Sequence, residues 1–176
     1  MTKQKIFEKI QEQIRQEIYP GASLALYQAG QWREFYFGLA DPQERKVTQA
    51  GLVYDLASVS KVVGVGTLAA FLYEQGKLDL DLPLQHYYPD FHREDVTVRQ
   101  LLTHTSGLDP FIPNRDQLTA PELKEALNHL TVLEDTTFRY TDVNFLLLGF
   151  MLEEIYGQAL DQIFQSQIFQ PWGLTE

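Results

Sequence analysis

Cysteine is absent from this sequence of 176 residues, which excludes disulfides and thiolate metal sites and leaves the redox compartment open. Positive charge is scarce: 14 Lys and Arg stand against 24 Asp and Glu, for a formal charge of -10. The few cations are scattered rather than gathered in a stripe, so nucleic acid is not an expected partner. No apolar run approaches the roughly 20 residues that span a bilayer. The opening segment, Met1-Thr-Lys-Gln-Lys-Ile-Phe-Glu-Lys-Ile10, is too charged for the core of a signal peptide, so the sequence reads as cytoplasmic. The four histidines, at 86, 92, 104 and 129, lack the i, i+4 pairing of a helical zinc site, and no metal or other cofactor is expected.

What is there is enough for a packed globule: 44% of the residues are hydrophobic and 12% aromatic, in a length that suits one domain or a large part of one. Ile6, Phe7, Ile10, Ile14 and Ile18 recur at helical spacing, which predicts an amphipathic surface helix over residues 3–18. Ala22 to Tyr27 and Trp32 to Phe37 flank Gln28-Ala29-Gly30-Gln31 and predict a β-hairpin, with a further short strand at Leu52 to Leu56. From Ser58 the pattern turns helical, over residues 58–75, 98–104, 121–130, 143–156 and 160–169. Strands followed by a helical block predict an α+β fold rather than alternating βαβ units. A two-stranded hairpin is marginal alone, and the final stretch from Gln170 to Glu176 reads as a turn, so strands beyond residue 176 are one expected source of cover for the sheet.

Ser58-Val59-Ser60-Lys61 opens the longest helical segment. Three residues turn a helix by about 300°, which puts the lysine amine on the serine's face. A serine hydroxyl needs an adjacent base to act as a nucleophile, and a lysine serves if burial lowers its pKa. The small apolar residues Val62, Val65, Gly66, Ala69 and Ala70 predict such a buried helix. At a helix start, free N–H groups and the dipole favour an oxyanion. The plain structural alternative makes Ser58 a helix cap and Lys61 a solvated side chain. Two more stretches stand out. In Phe138-Arg139-Tyr140-Thr141-Asp142 a tyrosine precedes Asp142, which is placed to cap the next helix. In Leu101-Leu-Thr-His-Thr-Ser-Gly-Leu108, His104 falls at a helix C-terminus, where a cation is favoured for structural reasons. Ser106 lacks the setting of a nucleophile elbow, and His104 stays outside the expected catalytic set.

Together these stretches resemble the serine β-lactamase and penicillin-binding-protein superfamily, in the branch of class C β-lactamases, D-aminopeptidases, D,D-carboxypeptidases and related esterases. The likeness runs through Tyr19-Pro-Gly-Ala-Ser23, Asp55-Leu-Ala-Ser-Val-Ser-Lys61, Leu101 to Leu108, Tyr140-Thr-Asp142, Leu147-Leu-Gly149 and Ile168-Phe-Gln-Pro171. It implies a β-lactamase/transpeptidase-like fold: a mainly helical block, an N-terminal helix and an incomplete antiparallel sheet. It also implies a serine hydrolase that forms an acyl-enzyme on a lactam, a D-amino-acid amide or an ester of a small-molecule or peptide-like substrate. Ser58 would be the nucleophile, Lys61 its proton-transfer partner and Tyr140 the group assisting the leaving atom, with Asp142 contacting substrate where the motif commonly has Asn. The third motif, a Lys/His-Thr/Ser-Gly triplet, has no counterpart here. Residues 1–176 are therefore expected to form one incomplete domain with little or no turnover, whose open sheet edges make self-association possible. The alternative function is a catalytically dead binding or scaffold module of the same fold.

Overall fold

The computed structural model describes residues 2–174, and the chain divides into two compact units, Met1–Asp55 and Leu56–Glu176. In the first, α1 (Lys3–Arg15) ends three residues before the expected Ile18. Glu17 takes a left-handed φ of 57° there, which a helix cannot continue through. Strands β1 (Gly21–Gln28) and β2 (Gln31–Asp41) pair antiparallel, with Gly21 opposite Gly38 and Gln28 opposite Gln31. The turn between them, Ala29-Gly30, has φ of 52° and 79°, the two positive values that a two-residue type I′ hairpin requires.

One face of this hairpin is covered by α1. Phe35 and Phe37 project from one face of β2, and the Phe7 ring of α1 lies 4.7 Å from the first and 5.1 Å from the second. A short strand β3 (Lys46–Val47) adds to the far edge of β2, giving the order β1-β2-β3. It follows a register shift between Leu39 and Asp41; two residues carry no alternation for a sequence reading to find. The strand expected at Leu52 to Leu56 does not form, and residues 52–56 are irregular.

The second unit holds the hydrophobic core. Its centre is α5 (Asp142–Tyr156), which buries Val143, Leu147, Leu148, Met151 and Leu152. Around it lie α2 (Thr67–Glu74), α3 (Val98–Leu102), α4 (Ala120–Asn128) and α6 (Leu160–Phe164). Leu68, Leu101 and Ile163 are fully buried among them, and each such side chain stabilises the fold by about 1.5–3 kcal/mol. Two capping boxes start the shorter helices: Gln100 Oε1 accepts from Thr97 N–H at 2.8 Å, and Glu122 Oε2 accepts from Thr119 N–H at 2.8 Å. The turn expected at the end of the chain is present at residues 170–173; Thr175 and Glu176 lie outside the described residues. Among the described residues no helix is long and apolar enough to cross a membrane, and no group of three or more His, Asp or Glu could hold a metal ion.

Candidate active site

Ser58 opens its helix from a strained turn. Ala57 has φ of 44°, a left-handed value costly for a residue with a Cβ. Turn hydrogen bonds begin with Val59 N–H to Leu56 O at 2.9 Å and Ser60 N–H to Ala57 O at 3.1 Å. The Ser58 N–H lies ahead of them, among the amides that a helix start leaves without an intrahelical acceptor. The helix then widens into a π-helical segment, Lys61–Gly66, before settling into α2. Gly64 makes room within that segment: a Cβ there would stand 2.5 Å from Phe164 Cζ, so only glycine lets the ring pack against the backbone. The buried face is Gly64, Val65, Leu68, Ala69 and Leu72, whereas Val62 and Ala70, expected inside, are exposed.

The expected serine–lysine proximity is present. Lys61 Nζ donates to Ser58 Oγ at 3.2 Å and pairs with Asp142 Oδ1 at 2.7 Å. Lys61 Nζ also stands 5.5 Å from the centroid of the Tyr140 ring. Ser58, Lys61 and Asp142 line one cleft of about 620 Å³, together with Arg115 and an apolar wall that includes Val65, Leu123, Phe145, Leu146 and Phe164. Tyr140, half exposed, touches Lys61 but is not part of that lining. Another cleft of about 620 Å³ along α6 contains Asp161, Ser166 and several glutamines but no lysine beside its serine.

The charge state differs from the expectation. Lys61 is pushed above its ordinary pKa, not below it: the hydrogen bond it donates to Asp142 is the main cause, partial burial opposes it, and Tyr140 adds to the rise. Only 16% of the Lys61 side chain is exposed, yet a carboxylate in contact outweighs the desolvation. Asp142 is held below the usual carboxylate range by the same contact. It occupies the first turn of α5 while Thr141 is the N-cap, so its carboxylate is spent on Lys61 rather than on capping. Nothing local in Tyr140-Thr-Asp142 announces this, because the partner lies far away in sequence.

Sequence reasoning also passed over what stands behind the site. Arg115 sits on a short 3-10 turn, Arg115–Gln117, whose sequence carries no motif. His104 and Asn144 are 8% and 2% exposed, and a polar residue at the start of an apolar helix was the one available signal for the second.

Known proteins share this sequence and fold. The sequence is 33% identical over 127 residues to a beta-lactamase of Providencia stuartii, a match covering 68% of this chain and 33% of that protein. The fold superposes on a class C beta-lactamase with a TM-score of 0.82 and 25% identity, covering 97% of this chain and 48% of that one. A hydrolase with promiscuous acyltransferase activity gives 0.78 and 26%, over 98% of this chain and 52% of that one. The chain thus spans about a third to a half of the length of the relatives it matches. A family model under the description Beta-lactamase matches residues 6–176 of a chain that sets a serine and an amine together at the head of a helix: the chain belongs to the beta-lactamase family.

Proposed function

We propose that this chain carries the acylation site of a β-lactamase-like serine hydrolase acting on a lactam, an amide or an ester of a small-molecule or peptide-like substrate. The observation that carries the reading is the 3.2 Å hydrogen bond between Lys61 Nζ and Ser58 Oγ at a cleft. In the forward step Ser58 Oγ bonds to the carbonyl carbon, its proton passes to the neutral form of Lys61, and the carbonyl electrons move onto oxygen. The Ser58 N–H supplies one donor to that oxygen. As the intermediate collapses, the C–N or C–O bond breaks and Tyr140 assists the proton transfer to the departing nitrogen or oxygen. Water or an amine then releases the acyl group from Ser58.

The resting hydrogen bond runs from ammonium to hydroxyl, so Lys61 stabilises negative charge on Oγ but accepts a proton only in its minority neutral form. Acylation is therefore expected to rise with pH through the alkaline range. A second oxyanion donor is worth on the order of 100- to 1,000-fold in rate, so residues 1–176 alone, which carry no Lys/His-Thr/Ser-Gly triplet, are expected to acylate faster than they turn over.

The test reads the covalent adduct. With a fluorophosphonate probe, the intact mass gains one label, peptide mapping places it on Ser58, and Ser58→Ala takes none. Labelling that survives in Ser58→Ala, or none at any pH up to about 10, near the ordinary lysine pKa, defeats the proposal. Reversible penicillin binding without an adduct is the outcome of the other reading, a binding module, which the Lys61–Asp142 pair favours because a protonated lysine is not a base.

A further inference from the structure

Behind the Tyr140-Thr-Asp142 turn lies a buried polar chain that the acyl-transfer steps do not use. Leu108 N–H donates to Ser106 Oγ at 3.3 Å, and Ser106 Oγ donates to Asn144 Oδ1 at 2.7 Å. That fixes the Asn144 amide with its Nδ2 toward His104 Nδ1, at 3.0 Å. Thr141 N–H points at the same Nδ1 at 3.4 Å. A backbone N–H can only donate, so Nδ1 is the acceptor and a neutral imidazole carries its proton on Nε2. The ring itself lies 4.6 Å from the Tyr140 ring and 5.2 Å from Phe145, and Arg139 N–H donates to the His104 carbonyl at 2.9 Å.

The backbone at His104 makes the choice of residue more telling. Thr105 N–H returns to Gln100 O at 2.8 Å and His104 N–H to Leu101 O at 3.2 Å. This is the Schellman ending of α3, in which the residue at position 104 is left-handed and usually glycine. His104 holds φ of 56°, a conformation costly for a side chain that contributes nothing else. Burial is the largest influence and keeps the imidazole below its ordinary pKa; of the charged groups that face it, Lys61 acts in the same direction and Asp142 opposes. At this helix end the histidine serves as an acceptor at Nδ1.

We propose that His104 is a positioning residue of the acylation site: accepting at Nδ1 from Thr141 N–H and Asn144 Nδ2, and packed against Tyr140, it locks the turn that presents Tyr140 and Asp142 to Lys61. The inference rests on the acyl-transfer reading for its effect on rate, but not for its geometry.

Three variants separate the acceptor from the fold. Glycine suits the left-handed backbone at least as well as histidine, and asparagine suits it while offering an oxygen close to the place of Nδ1. Phenylalanine keeps the ring and removes the acceptor. The adduct rate is expected to fall by up to about 100-fold, the scale of a misplacement near 1 Å, in His104→Gly and His104→Phe. It is expected to stay within a few-fold of wild type in His104→Asn. Amide exchange at Thr141 is expected to quicken in the first two and remain slow in the third, and the Lys61 titration midpoint should move in the same two. Imidazole nitrogen spectra at neutral pH should show the proton on Nε2. A proton on Nδ1, or Thr141 exchange and Lys61 titration unchanged in His104→Gly and His104→Phe, overturns the proposal. If the wild-type protein takes no label, the acyl-transfer reading fails while exchange and titration still decide the role of His104.

Discussion

Asp142 Oδ1 lies 2.7 Å from Lys61 Nζ and is the main cause that raises the lysine above its ordinary pKa, which shifts the proposed chemistry toward higher pH. Asp142→Asn replaces the anion with a neutral amide. The pKa of Lys61 is then expected to fall toward or below its ordinary value, so the neutral amine is populated at lower pH. The rise of adduct formation with pH should move down accordingly, measured as label incorporation at a series of pH values. A pH profile that stays in place in Asp142→Asn removes Asp142 as the cause. Stability should change by less than about 1 kcal/mol, since the carboxylate is two-thirds exposed and such pairs are screened by solvent. The serine-to-lysine spacing was legible from helical geometry alone. The lysine's charge state was not, because it is decided by a residue on another helix.

At the scale of elements, the helix that carries Ser58 works through its irregularity. The π-helical segment Lys61–Gly66 and the bare Cα of Gly64 let α6 approach closely enough for Phe164 to join the cleft wall. Gly64→Ala is expected to force Phe164 out of place, at a cost of about 1–3 kcal/mol for overpacking. A thermal melt measures the loss, and the adduct rate reports the disturbed cleft; a variant as stable as wild type, with an unchanged rate, argues against the close approach. Helical periodicity announced the segments over 58–75 and 143–156, because both bury a long apolar face. It could not announce the π-helical widening, which arises where two helices meet, nor the two-residue strand β3, which exists only because β2 offers it an edge.

For the whole molecule, the shifted groups predict an asymmetric stability profile. His104 is held below its ordinary pKa. The unfolded chain therefore binds a proton near pH 6.5 that the folded chain refuses, and stability falls as pH drops below that point. Asp81, Asp95, Glu122, Asp135 and Asp142 are also lowered, each chiefly by a hydrogen bond from a neighbouring side chain. Their contributions are present above the unfolded carboxylate range near pH 4 and are lost as pH falls through their folded values. Lys61 is raised, so its contribution is complete below about 10.4 and disappears as pH climbs through its folded value. Melting temperature against pH should thus decline in two stages on the acid side. His104→Phe should abolish the first stage, and a slope between pH 6.5 and 5 that survives in this variant assigns it to other groups.

The sequence by itself determined the helical block, the hairpin, the family likeness and the closeness of Ser58 and Lys61, because apolar periodicity, turn chemistry and short motifs are local properties of a chain. The tertiary structure alone decided that Lys61 is raised above its ordinary pKa rather than lowered, that His104 is held below its own and faces Thr141 N–H with Nδ1, and that Phe164 reaches the cleft. Protonation and packing depend on which groups fold to within a few ångströms of one another, and those partners come from separate helices.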